Sequence, residues 1–102
     1  MKQQIFSIYD EKSEAYNTPF FQNHINQAIR SFSDLSKDPK TTISRHPQDF
    51  SLYHIGEYDD VNSSIQSFNE PKFLARATEF NNTITPTEVG ANENLNQVQS
   101  QR

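Results

Sequence analysis

The sequence holds no cysteine, which excludes a disulfide framework and any thiolate metal site and suits a reducing compartment. Glycine is nearly as scarce. Gly56 and Gly90 are the only two, too few and too far apart for a phosphate-cradling loop. Long apolar runs are also missing: Met1 is followed by Lys2, Gln3 and Gln4, and the short run from Ile5 to Ile8 is stopped at Asp10. That pattern gives neither a signal peptide nor a membrane span, and predicts a protein that stays where it is made, with no membrane partner. Positive charge is in deficit. Nine Lys and Arg stand against thirteen Asp and Glu, a net charge of −4 with a pI near 5.2. Bulk electrostatic attraction to nucleic acid is thereby excluded, so any such contact must be local.

What the chain does have is aromatic surface. Eight Phe and four Tyr within 102 residues supply the apolar area that its few aliphatic residues do not. One modest, ring-rich core is the expectation, with Tyr hydroxyls that need placed partners. Residues 1–82 read as a single domain. Residues 83–102 are Asn- and Gln-rich around Gly90, with only Ile84, Val89, Leu95 and Val98 as scattered aliphatics. They cannot offset their ordering entropy and read as a disordered polar tail, or as a segment that folds on a partner.

Alternation over Gln3–Tyr9 predicts a strand with Phe6 and Ile8 on one face and Ile5, Ser7 and Tyr9 on the other. Thr18 with Pro19 has the form of an N-cap and first-turn proline. From there to Lys37, Ile25, Ala28, Ile29, Phe32 and Leu35 form a stripe at helical spacing, ended by Asp38-Pro39. Residues 40–49 read as a loop. Phe50–Tyr58 predicts a second strand, with Phe50, Leu52, His54 and Tyr58 on one side and Tyr53, Ile55 and Glu57 on the other. Asp59–Asn62 is a turn, and Ser63–Phe68 a weaker return strand suited to a sheet edge. Asn69-Glu70-Pro71 repeats the cap-then-proline pattern ahead of Phe73, Leu74, Ala77 and Phe80, predicting a second helix. The resulting order, β-α-β-β-α, implies an α+β fold: a small antiparallel or mixed sheet of about three strands covered by two helices, in which a right-handed crossover would favour a parallel neighbour for the first strand.

Candidate chemistry is sparse. His24, His46 and His54 include no His-x-His pair and no carboxylate at helical ligand spacing, which speaks against a metal site and against a nuclease built on paired histidines. His46-Pro47-Gln48-Asp49 reads as a turn ahead of a strand, and Asp59-Asp60 as turn chemistry lacking the further oxygen ligands a divalent cation requires. No serine stands in a nucleophile elbow. The residues point to a binding protein with no catalytic residues and no cofactor. Its one basic stretch is Arg30, Lys37, Lys40 and Arg45, opposed locally by Asp34 and Asp38. Tyr16, Phe21 and Tyr53, with Phe20, are candidate stacking faces beside it, the combination used on single-stranded nucleic acid. The competing reading makes the rings core and the charges a solvated helix end.

Taken together, Lys2-Gln-Gln-Ile-Phe-Ser-Ile-Tyr-Asp10, Pro19-Phe20-Phe21, Ala28-Ile-Arg-Ser-Phe-Ser-Asp34, His46-Pro-Gln-Asp-Phe-Ser-Leu-Tyr53 and Ile55-Gly-Glu-Tyr-Asp59 resemble the small nonstructural protein of the gokushoviruses, single-stranded DNA bacteriophages of the microvirus family. The likeness spans about residues 1–80. It implies a phage protein of the host bacterial cytoplasm, DNA-binding, linked to viral single-stranded DNA synthesis and the switch toward packaging, and not a capsid component. It transfers no catalytic or base-contacting residues. Two functions are therefore expected in competition. One is an accessory single-stranded DNA-binding factor using Arg30, Lys37, Lys40 and Arg45 on phosphates and the nearby rings on bases. The other is a regulator that contacts the phage replication initiator, a host replication factor or the procapsid without touching DNA. Oligomeric state stays open between a homodimer that completes an uncovered sheet edge and a monomer that guards it with charge.

Overall fold

A computed structural model of the chain describes residues 1–81. Its elements are β1 (Lys2–Asp10), β2 (Ala15–Tyr16), β3 (Phe20–Gln22), α1 (Ile25–Lys37), the single turn α2 (Thr42–Arg45), β4 (Phe50–Asp59) and β5 (Ser64–Arg76), with 3-10 turns at Pro47–Asp49 and Ala77–Glu79. All strand pairings are antiparallel, in the order β2-β1-β4-β5, and β3 follows β2 along the same flank of β1. The five strands curl into a half-barrel with one substantial helix against it.

This overturns the expected α+β fold of three strands under two helices. Residues 18–24 are not the first turns of a helix. Phe20–Gln22 instead pairs with Gln4–Phe6 and covers an otherwise open flank of β1, with Phe20 packing 5.7 Å from Phe6. Pairing β1 with β4 closes the sheet directly, so the predicted parallel crossover is absent. The second predicted helix is strand as far as Arg76: Lys72, Phe73, Ala75 and Arg76 lie opposite His54, Tyr53, Leu52 and Ser51. The i, i+1, i+4, i+7 spacing of Phe73, Leu74, Ala77 and Phe80 imitates a helix, but ladder hydrogen bonds with a long neighbouring strand outweigh that local preference. Pro71 sits in a bulge, where its missing N–H costs no ladder bond. The predicted tail lies outside the described residues.

The core lies between α1 and one face of the sheet. Ala28 and Phe32 of α1 are fully buried against Phe6, Ile8, Phe50, Leu52 and Ala75, with Ile43 and Ala77 closing the ends. Phe80 meets Phe32 edge-on at 6.2 Å. Alternation along β1 is as expected, sending Phe6 and Ile8 to the helix and Ile5, Ser7 and Tyr9 to the far face. In β4 the alternation is broken, because Ile5 pairs with Gly56 and Phe6 with His54, leaving Ile55 in a bulge. A one-residue slip reverses every side chain beyond it. Tyr58, expected beside His54, therefore shares the far face with Tyr53, and Glu57 moves to the helix side.

The connection after α1 is tightly knit. The Thr41 hydroxyl caps α2 by accepting from the Ser44 N–H at 3.1 Å, and donates toward the Leu35 carbonyl at 2.7 Å, which also accepts from the Asp38 N–H at the end of α1. Asn81 then ties the end of the described chain to the Ser36 and Ser44 carbonyls. In the β4–β5 hairpin, Asp59 accepts from the Val61 N–H and Asn62 from the Ser64 N–H, while Ser63 adopts φ 62°. Asp60 accepts from the Met1 ammonium at 2.8 Å. Asp59 thus performs the turn chemistry the sequence suggested, whereas Asp60 ties the hairpin to the N-terminus.

Candidate functional site

The face of the sheet turned away from α1 carries most of the rings not used in the core. Tyr9 pairs with Tyr16 across the β1–β2 ladder, with centroids 4.7 Å apart. Tyr53, on the adjacent strand, lies 6.3 Å from Tyr9, 5.6 Å from Tyr16 and 5.8 Å from Phe73. Near the other end of the same face, Phe21 meets Tyr58 edge-on at 5.8 Å. No helix among the described residues covers these six rings. Tyr16 is 46% exposed, Phe21 45% and Phe73 52%, so large planar surfaces meet solvent on a rigid scaffold. Burial raises the pKa of the Tyr16 phenol above its usual 10.0, and the neighbouring Tyr53 and Tyr9 add to that rise, so Tyr16 stays neutral through the physiological range.

Hydrogen bonds hold the arm that presents Tyr16. Ser7, fully buried in the middle of β1, donates through Oγ to the Asn17 carbonyl at 2.6 Å, and the Asn17 N–H donates to the Ile8 carbonyl at 2.8 Å. The end of this face near Tyr9 is flanked by Arg76, which donates to Glu11 at 3.0 Å and to the Gln48 carbonyl at 2.8 Å. Lys72 lies 4.4 Å over the Phe68 ring. Among the described residues no group of His, Asp and Glu is arranged to hold a metal ion.

The structure brings Tyr16 and Tyr53 together and places Phe21 at the other end of the same face. It does not bring them to the basic stretch. Arg30 and Lys37 are exposed on α1, Lys40 on the loop that follows, and Arg45 on α2, where its guanidinium donates to the Pro39 carbonyl at 3.3 Å. All four belong to the helical layer, on the opposite side of the sheet from the ring cluster. His46 is exposed in the same layer. Sequence reasoning missed Tyr9, Tyr58 and Phe73. Alternation in β1 already set Tyr9 opposite Phe6 and Ile8, a signal that was readable; Tyr58 was hidden by the bulge and Phe73 by the false helix.

A family model described as Phage ORF5 protein matches residues 3–80, the whole sheet together with its helix. The chain belongs to the Phage ORF5 protein family. It is therefore a phage protein, and both the ring-bearing face and the basic stretch lie inside the family region. No curated protein and no solved structure matches the chain. Among the described residues of this ORF5 protein, no helix is long and apolar enough to cross a membrane.

Proposed function

We propose that this ORF5 protein is an accessory single-stranded DNA-binding factor of a gokushovirus-type phage, acting in the host cytoplasm during viral DNA synthesis and the switch to packaging, and that the exposed aromatic face is its platform. The observation that carries the reading is the continuous set of Tyr9, Tyr16, Tyr53 and Phe73 on a sheet face that no helix among the described residues covers. Unpaired bases stack on such rings for about 1–3 kcal/mol each, whereas a duplex keeps its bases inside. The separation of the rings from the four helical cations, together with the net charge of −4, assigns most of the affinity to stacking. The log–log salt slope of about −0.7 per neutralised phosphate then sums to a shallow total.

All four tyrosines lie on this face and the chain has no tryptophan, so intrinsic tyrosine fluorescence reports the site directly. Titration with single-stranded and duplex DNA at two salt concentrations tests the reading. Quenching by single strands, weak with duplex and only mildly salt-sensitive, is the expected result. The acidic balance and the edge of β5, left unpaired among the described residues, favour a second reading, a regulator of the replication initiator, a host factor or the procapsid. Absence of quenching at low salt would establish that reading in place of the first.

A further inference from the structure

We infer that a cleft at the centre of the aromatic face holds one nucleobase turned out of the bound strand. The inference rests on the single-strand reading above and adds to the stacking platform a site with base preference. The cleft measures about 420 Å³, within the range of roughly 300–1,000 Å³ typical of small-ligand sites. One wall is the arm linking β2 to β3, with Tyr16, Asn17 and Pro19; the facing wall is β5, with Ser67, Phe68 and Pro71; Ser7 and Ile55 form the floor.

The cleft exists because β4 and the edge strand β5 both depart from regular pairing at this point. Between the pairs Gly56–Ser67 and His54–Lys72, residues 68–71 of β5 have no partner on β4, and Ile55 has none on β5. Bulges of this kind re-aim side chains beside functional sites. Here the bulge sets Pro71 and the Phe68 backbone opposite Tyr16 and Pro19, while the Phe68 ring turns to the helix side, 4.7 Å from the His54 ring. Each wall thus offers a proline whose φ is fixed, and one adds the Tyr16 ring, so the walls are stiff before anything binds.

The polar groups of the rim are poised for a base edge. The Asn17 backbone is committed on both sides, its N–H to Ile8 and its carbonyl to Ser7, which leaves the carboxamide as its available donor and acceptor. A carboxamide matches the paired donor and acceptor of a nucleobase edge, and such a bidentate contact discriminates between bases. The Ser67 hydroxyl stands on the facing wall as a second donor or acceptor. Tyr16 belongs both to this wall and to the ring cluster, so a strand stacked on Tyr9, Tyr16 and Tyr53 passes the mouth of the cleft.

The test is a tyrosine-fluorescence titration of the full chain with short homopolymers of dT, dC and dA, for the wild type and for Asn17→Ala, Ser67→Leu and Tyr53→Leu, each checked for folding by circular dichroism. The wild type is expected to separate the homopolymers by about fivefold or more. Asn17→Ala should level that preference, and Ser67→Leu, which fills the cleft from an exposed edge position, should weaken all three by about tenfold. Tyr53→Leu should weaken all three in parallel and leave their ranking intact. Ser67→Leu binding like the wild type, or a base preference that survives Asn17→Ala unchanged, would overturn the cleft while the platform stands, provided that Tyr53→Leu still weakens binding. A wild type that binds no single strand would overturn both.

Discussion

Replacing Gly56 by Ala should destabilise the protein even though the same change usually does the reverse in a compatible backbone. Gly→Ala stabilises by about 0.4–1 kcal/mol when the native conformation accepts a side chain, because it narrows the unfolded ensemble. At Gly56 the obstacle is space. An added Cβ would lie 2.5 Å from the Gln66 carbonyl oxygen and 3.3 Å from Ser67 Cα, against ordinary contacts of 3.4 Å or more, an overlap of 3.4 − 2.5 = 0.9 Å with the first. Both obstacles are backbone of the adjacent strand, so no rotamer change relieves them. Overpacking of this kind costs about 1–3 kcal/mol, and subtracting the entropic gain leaves a net loss of roughly 1–2 kcal/mol. For a domain of this size that lowers Tm by about 5–15 °C, measurable by far-UV circular dichroism. Amides of Gln66 and Ser67, pushed from β4, should also exchange faster in native-state hydrogen exchange. An Ala variant that melts at or above the wild-type temperature would refute the close approach of β5 at this point, and with it the geometry that opens the neighbouring cleft.

Other outcomes follow from the same structure. His54 is 6% exposed, stacks on Phe6 at 5.0 Å and is bonded through Nε2 to Gln4 Oε1 at 2.8 Å. Burial first, then Lys72, lowers its pKa below the usual 6.5, against opposing effects of the Gly56 backbone and Glu57. The unfolded chain therefore binds the proton more readily, so the stability contributed by neutral His54 is complete above pH 6.5 and is lost as pH falls through its lower folded value. Urea midpoints at neutral and mildly acidic pH should show this loss in the wild type and a smaller one in His54→Gln. Phe32→Ala empties the centre of the helix–sheet interface and should cost about 3–5 kcal/mol by urea denaturation, enough to unfold a marginal domain. Thr41→Ala removes the cap of α2 and the bond to the end of α1, with an expected loss of about 1 kcal/mol in the same assay. Because Lys40 and Arg45 lie in the helical layer, reversing both charges should change single-strand affinity by less than about threefold, while Tyr53→Leu lowers it by about fivefold or more in the fluorescence titration.

The sequence alone determined the parts of this protein that rest on short-range pattern. The alternation of Phe6 and Ile8 against Ser7 and Tyr9, the apolar stripe of α1 and the Asp59–Asn62 turn all follow from local geometry, and each is present. Absence of cysteine and the net negative charge bounded the chemistry before any fold was known. Its membership of a phage protein family was legible as well, since the marker residues are a matter of residue order. Tertiary structure decided the rest. Phe20–Gln22 became a strand because β1 had an open flank to cover, and Lys72–Arg76 because β4 extended far enough to pair with it. Neither cause lies within reach of a local window. The bulge at Ile55 reversed the facing of Tyr58, since a single unpaired residue inverts a period-two pattern that is otherwise readable. Most of all, the cations and the rings that sequence proximity grouped together fell on opposite sides of one sheet. Adjacency along the chain says nothing about which face a residue takes once a helix packs on one face and leaves the other to solvent.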